Sequence, residues 1–425
     1  MKFTRFTNAS ADLATPPLEH IWVDITPMQR GGANGGAKPF ILTLLRELAK
    51  HQTQALFHCT CRPELVEELE PLGTPNLTFT PSTPSVAAGR WLGSRRLGRH
   101  GRLLRRRLHK ALAARPYAAT TANNFDPLPH NQGGVAQLLF CPFGAPLLHR
   151  ADLTTVSIFH DLQVLAYPEF FPAEVQAERL SHFRQMLAKA SRIAAISHFS
   201  RQEAISQGAD PGRIKVIPHR MAHSRRAAPM ERPPFDLASR RYVLYPANLW
   251  RHKNHELLLT AFAMAQQQGL PSDLALVCTG DGSERLAPLR QLAADLGISS
   301  SVLLTGFIQE HELEGLYQHS LAVVFPSLYE GFGMPVIEAM ARGIPVACSN
   351  TTALGEVAGD AALLFHPGNP QQIATALLQL AREPALRHSL IEKGIKQAKQ
   401  YAEAEVMAQQ YWELLSEAHS AGPVA

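Results

Sequence analysis

Short apolar runs of four to six residues alternate with stretches in which hydrophobic positions recur every three or four residues. The first run, His20-Ile21-Trp22-Val23-Asp24-Ile25, reads as a strand. It enters a glycine-rich turn, Gly31 to Ala37, and a helical pattern follows through Phe40, Ile41, Leu44, Leu45 and Leu48. Thr155–Phe159, Arg192–Ile196 and Ile214–Pro218 are further buried-strand patterns. The pattern restarts at Tyr242–Pro246 and continues through Leu274–Gly280, Val302–Gly306, Ala322–Phe325 and Pro345–Cys348, each followed by a helical stretch. Such alternation predicts an α/β chain with two doubly wound, Rossmann-like domains. Between them, residues 222–240 are rich in Pro and Arg and lack periodicity, so the expected division is 1–221, a linker 222–240, and 241–400.

Length agrees with that division, because 425 residues exceed what a single core usually organises. At 45% hydrophobic and 18% charged, the chain has an ordinary globular composition, and no apolar run approaches the roughly 20 residues that span a bilayer. Residues Met1 to Asn8 lead into polar positions rather than an apolar signal core, so a cytoplasmic location is expected. The five cysteines, an odd number, argue against a disulfide framework. Cys59 and Cys61 lack a second ligand pair at zinc spacing and read as strand residues; no metal site is expected.

Net charge is +5, unevenly distributed. No acidic residue occurs between Glu70 and Asp126, while ten cations crowd Arg90–Arg115, with Leu97, Leu104, Leu108 and Leu112 at helical spacing. Three roles suit this basic amphipathic stretch: a solvated helix face, a contact with anionic lipid headgroups, or a nucleic-acid patch. The last is disfavoured because no stacking aromatics accompany the arginines, and no nucleic-acid partner is expected.

The densest chemistry lies at 327–341. Ser327-Leu328-Tyr329-Glu330-Gly331-Phe332-Gly333-Met334-Pro335 leads into Val336-Ile337-Glu338-Ala339-Met340-Ala341. A glycine turn before a helix exposes backbone N–H groups that attract anions, and two carboxylates eight positions apart can accept hydrogen bonds from sugar hydroxyls. In a doubly wound sheet such a site belongs at the carboxyl ends of the strands, here in a cleft between the domains.

These residues, with Gly343-Ile344-Pro345-Val346, resemble the donor-site signature of retaining glycosyltransferases of the GT-B fold, family 4, and the likeness extends from the glycine loop to about residue 370. It implies a GT-B architecture whose last helices, 401–425, cross back onto the first domain. It also implies transfer of a sugar from a nucleoside diphosphate to an acceptor hydroxyl, with no cofactor or metal required. Glu330 would hold the transferred sugar and Glu338 the ribose. Gly331, Phe332, Gly333 and Met334 would hold sugar and diphosphate, and Lys253, matching the family's lysine, would stabilise the leaving group. The family often has an arginine five residues earlier; here that position is Asn248, which leaves the second cation open, with Arg251 a candidate for the role.

Gly35 and Gly36 resemble the family's first-strand glycine loop, which touches the donor phosphates or the acceptor. Gly280, and Gly306-Phe307-Ile308, resemble loops near the nucleotide base. His160-Asp161 resembles the acceptor-side His-Asp segment near the reacting carbon, and Ser200 is placed to begin a helix. The wording of 245–255 resembles bacterial mannosyltransferases of surface polysaccharide assembly. GDP-mannose is thus the first expected donor, UDP-sugars the next, with a glycan or lipid-linked acceptor and peripheral attachment through Arg90–Arg115. The rival readings are a sugar-nucleotide epimerase, a polysaccharide phosphorylase and a non-enzymatic glycan or nucleic-acid binding protein.

Overall fold

The computed structural model describes residues 16–31, 34–82, 136–221, 235, 237 and 240–424. The basic stretch Arg90–Arg115, and all of the linker 222–240 except Phe235, Leu237 and Arg240, lie outside the described residues.

The first sheet has seven parallel strands in the order β3-β2-β1-β4-β5-β6-β7, comprising His20–Asp24 (β1), Leu56–Cys61 (β2), Leu77–Pro81 (β3), Leu138–Cys141 (β4), Thr154–Phe159 (β5), Arg192–Ala195 (β6) and Ile214–Val216 (β7). Val23 pairs with Cys59 on one side and Phe140 on the other, so β1 is central. The second sheet runs β10-β9-β8-β11-β12-β13, from Arg241–Pro246 (β8), Leu274–Thr279 (β9), Val302–Gly306 (β10), Ala322–Phe325 (β11), Val346–Ser349 (β12) and Leu363–Phe365 (β13). Both sheets reverse direction of strand order beside their first strand. This places topological switch points at the ends of β1/β4 and β8/β11, where ligands collect in open parallel sheets.

Strands with helices on both faces need continuous apolar runs, and all six residues of β5 and all six of β9 are buried. Cys59 and Cys61 lie buried on β2, and the cysteines are unpaired thiols. Among the described residues no cluster of three or more potential ligands could hold a metal ion, and no helix is long and apolar enough to cross a membrane.

The last helix, Ala404–Ala421, lies on the first domain. Tyr411 packs near Phe40 of the helix Ala37–His51, Trp412 meets Phe57 edge-on, and Lys215 reaches Glu413 and Glu417 at 3.6 and 3.5 Å.

Candidate active site

The strand ends enclose a cleft of about 1800 Å³ lined from both domains. On the second domain, the loop leaving β8 makes a single 3₁₀ turn, Arg251–Lys253, and ends at Asn254 in the left-handed conformation (φ 62°). The Asn254 amide donates to the carbonyls of Pro326 and Pro367, and the Tyr245 hydroxyl donates to the Lys253 carbonyl. Lys253 is thereby presented on a rigid turn. Its Nζ lies 2.6 Å from Glu330 Oε1, and the two side chains are only 12% and 13% exposed.

Glu330 follows β11. Its backbone N–H donates to Thr352 Oγ1, and Thr352 itself sits at φ 57°, a strained conformation for a β-branched residue. Three residues on, Gly333 (φ 109°) begins the helix Met334–Ala341, and an added Cβ there would lie 2.5 Å from Leu354. Only glycine allows this turn without strain. Glu338, one helical turn further, receives a long 3.5 Å contact from the Tyr317 hydroxyl. Burial raises its pKa, against the opposing charge of Arg342.

On the first domain, His160 follows β5 and its Nε2–H donates to the Pro142 carbonyl at 2.8 Å. A carbonyl can only accept, so Nδ1 carries the lone pair in the neutral ring. Burial keeps that ring neutral by lowering its pKa, opposed by the Pro142 bond and Asp161. Asp161 Oδ1 accepts from Gln163 N, forming an Asx turn. His219, stacked on Phe40 at 3.7 Å, is held neutral by burial and by neighbouring His160.

The two domains grip one another at this site. The Ser197 hydroxyl donates to the Gly331 carbonyl at 2.8 Å, and the Ser200 hydroxyl approaches the same oxygen at 3.2 Å. The Glu356 carboxylate accepts the N–H groups of His198 and Phe199, both at 2.9 Å, at the start of the helix His198–Ser206. Tyr329 accepts from Leu162 N and donates to Glu203. Ser197, not Ser200, caps that helix, because its extended backbone lets Oγ accept from Ser200 N.

Of the residues singled out in the sequence, Gly36, His160, Asp161, Arg251, Lys253, Glu330, Gly331, Phe332, Gly333, Met334 and Glu338 share the cleft wall. The others do not line it directly. Gly35 (φ 54°) lies against the Trp250 indole, and Asn248 Oδ1 accepts from Asp281 N. Gly280 packs so closely on Ala247 that a Cβ would lie 2.3 Å from its carbonyl oxygen, and its N–H donates to Gly306 O. Phe307 is 65% exposed, while Ile308 packs against the core. Sequence reasoning assigned no role to His219, Arg285, Tyr329 or Glu356. Their positions depend on contacts with residues distant in the chain.

Comparison with known proteins agrees with this architecture. Residues 34–220 match the model for Glycosyltransferase Family 4, and residues 231–397 match Glycosyl transferases group 1. The chain is 30% identical over 263 residues to O-antigen chain mannosyltransferase B of Escherichia coli, covering 60% of this chain and 68% of that protein. It is also 30% identical over 271 residues to the serotype-specific mannosyltransferase WbdA of Escherichia coli, but spans only 32% of that longer protein.

Among solved structures, Anabaena HepE in complex with UDP and glucose aligns with a TM-score of 0.66 at 20% identity, over 94% of this chain and 100% of that one. Sucrose-phosphate synthase from Thermosynechococcus elongatus aligns at 0.67 and 21% identity, over 95% and 100%. At such identities these structures speak for the fold. With both domain models and the mannosyltransferase relative in agreement, this chain belongs to the group 1, family 4 glycosyltransferases and has their two-domain GT-B fold.

Proposed function

We propose that the chain is a retaining hexosyltransferase, carrying mannose from GDP-mannose to a hydroxyl of a glycan or lipid-linked acceptor in bacterial surface polysaccharide assembly. The observation that carries the reading is the largely buried Lys253–Glu330 pair beside the helix start at Gly333–Met334, with Glu338 one turn further along the same wall. Mannose transfer is favoured by the mannosyltransferase relatives. A UDP-sugar is the alternative donor, as HepE is seen with UDP and glucose.

In this account the donor diphosphate lies at the helix start, where the dipole and Lys253 offset the charge that grows as the glycosidic bond breaks. Glu338 accepts from the ribose hydroxyls and Glu330 from those of the transferred sugar. Gly35 and Gly36 close over the phosphates, while Asn248, Gly280, Gly306, Phe307 and Ile308 shape the base end. On the opposite wall, His160 Nδ1 offers a lone pair to a sugar hydroxyl, and Asp161 orients the acceptor. The acceptor oxygen attacks from the face the diphosphate leaves, with the diphosphate taking its proton, so no protein nucleophile is needed. The enzyme works in the cytoplasm, at the membrane face when its acceptor is lipid-linked.

Incubating the protein with GDP-mannose and a mannose-terminated lipid-linked oligosaccharide tests this. Acceptor-dependent release of GDP with an α-linked product, by NMR, is expected. Isomerised donor without acceptor, a β-linked product, or a glycosyl group trapped on Asp161 or Glu330 would contradict it.

A further inference from the structure

The loop that presents Lys253 has asparagine at position 248, where this family often carries an arginine, and Asn248 is occupied in holding the Asp281 N–H at 3.0 Å. Another arginine reaches the same loop from a different element. Arg285, in the first turn of the helix Ser283–Asp295, has a side chain only 17% exposed, lines the cleft with Lys253, and donates through Nη1 to the Leu249 carbonyl at 2.5 Å. Its Nη2 meets the carboxylate of Glu256, which is half-exposed in the first turn of the helix His255–Gln267.

A cation in the first turn of a helix opposes the macrodipole, so this position gains most when an anion approaches. Two donated hydrogen bonds leave three guanidinium N–H groups for further acceptors. The neighbouring imidazoles do not share the charge: burial first, and then Arg285 and Lys253, push His255 down to about 3, and burial and Lys253 do the same for His252. The positive field on this wall therefore belongs to Arg285, Lys253 and the exposed Arg251.

We propose that Arg285 is the second cation of the donor diphosphate site, replacing the arginine absent at 248, with Glu256 as its counter-ion until phosphate arrives. The inference rests on the donor reading given under Proposed function. Arg251 is then secondary, since it lies more exposed on the 3₁₀ turn.

Calorimetric titration of the full chain with GDP and UDP, alongside ligand-detected NMR with guanosine and uridine, tests it. Arg285→Ala is expected to weaken the preferred diphosphate about 10- to 100-fold, the range for a charge-assisted bond, while leaving the nucleoside unchanged. Arg285→Lys should restore part of the loss, Arg251→Ala should cost less, and Glu256→Gln should tighten diphosphate binding severalfold. If the ion pair served only to hold the fold, Glu256→Gln would weaken binding or leave it unchanged, and either result overturns the inference. So does Arg285→Ala binding diphosphate like the parent, or losing nucleoside and diphosphate equally. A parent chain that binds neither GDP nor UDP would remove the donor reading and this inference with it; a parent that binds normally beside an indifferent Arg285→Ala would remove the inference alone.

Discussion

Lys253 Nζ and Glu330 Oε1 lie 2.6 Å apart, joining the loop that leaves β8 to the loop that leaves β11. The pair stands at the switch point of the second sheet, and the Lys253 ammonium also lies 5.2 Å from the centre of the Phe325 ring. On the proposed donor placement, a donor entering the cleft shares the lysine between its diphosphate and Glu330. Replacing Lys253 with Ala should lower turnover about 100- to 1000-fold, as removal of a preorganised charge does elsewhere. Stability should respond non-additively. Denaturation of Lys253→Ala, Glu330→Ala and the double variant should give a coupling of at least about 0.5 kcal/mol, whereas strict additivity would mean that the pair does not form in solution.

Glu356 reaches from the second domain to the helix His198–Ser206 of the first, accepting its first two N–H groups. Loss of a helix-capping acceptor costs about 1 kcal/mol. Glu356→Ala should show that loss in urea denaturation, and turnover should fall because Gly331 depends on the same junction through Ser197. Glu356→Gln should recover part of both, and an Ala variant as stable and active as the parent would show that the junction does not persist.

Gly331 occupies a place no side chain can. A Cβ there would lie 2.4 Å from the His160 carbonyl oxygen and 3.3 Å from Asp161 Cβ, so the clash is with backbone of the opposite domain. Gly331→Ala should therefore abolish transfer by forcing the domains apart, with a larger radius of gyration by solution X-ray scattering. An active, equally compact variant would refute the arrangement.

Asp24 ends β1 almost wholly buried, its Oδ1 accepting from Thr26 N and Oγ1 and its Oδ2 making no normal hydrogen bond. Burial pushes its pKa from the ordinary 3.8 up to about 6, against the hydrogen bonds that favour charge. The folded state holds this proton more tightly than the unfolded chain. The contribution is thus complete below pH 3.8 and is lost as pH rises through about 6. The gap between the two values corresponds to about 3 kcal/mol. Stability measured against pH should shift in favour of Asp24→Asn, relative to the parent, by roughly that amount between pH 4 and 8. Parallel stability curves would mean that Asp24 is ionised like an exposed carboxylate.

How much could be read in advance differs from element to element. Ala322–Phe325 is a short, uninterrupted apolar run, and the structure returns it as β11. Leu56–Cys61 is harder to see, because His58 and Thr60 interrupt the run, and edge-strand β3 alternates too weakly to stand out. The glycine turn at 331–333 and its flanking glutamates announce themselves because their spacing is local. The reach of Glu356 to His198 spans 158 residues, and no local pattern encodes it. Arg285 is illegible for a different reason: an arginine in the first turn of a helix looks like an ordinary surface charge until the fold brings it to the Leu249 carbonyl.

Titration of the full chain with GDP-mannose, UDP-glucose and ADP-glucose, parent against Glu338→Ala, tests the central claim most directly. The account predicts that one nucleotide class, GDP first, binds the parent in the micromolar to millimolar range, and that the variant loses at least about 10-fold in affinity with the ribose contact. Absence of binding to any of the three donors, or binding undiminished by Glu338→Ala, would contradict it.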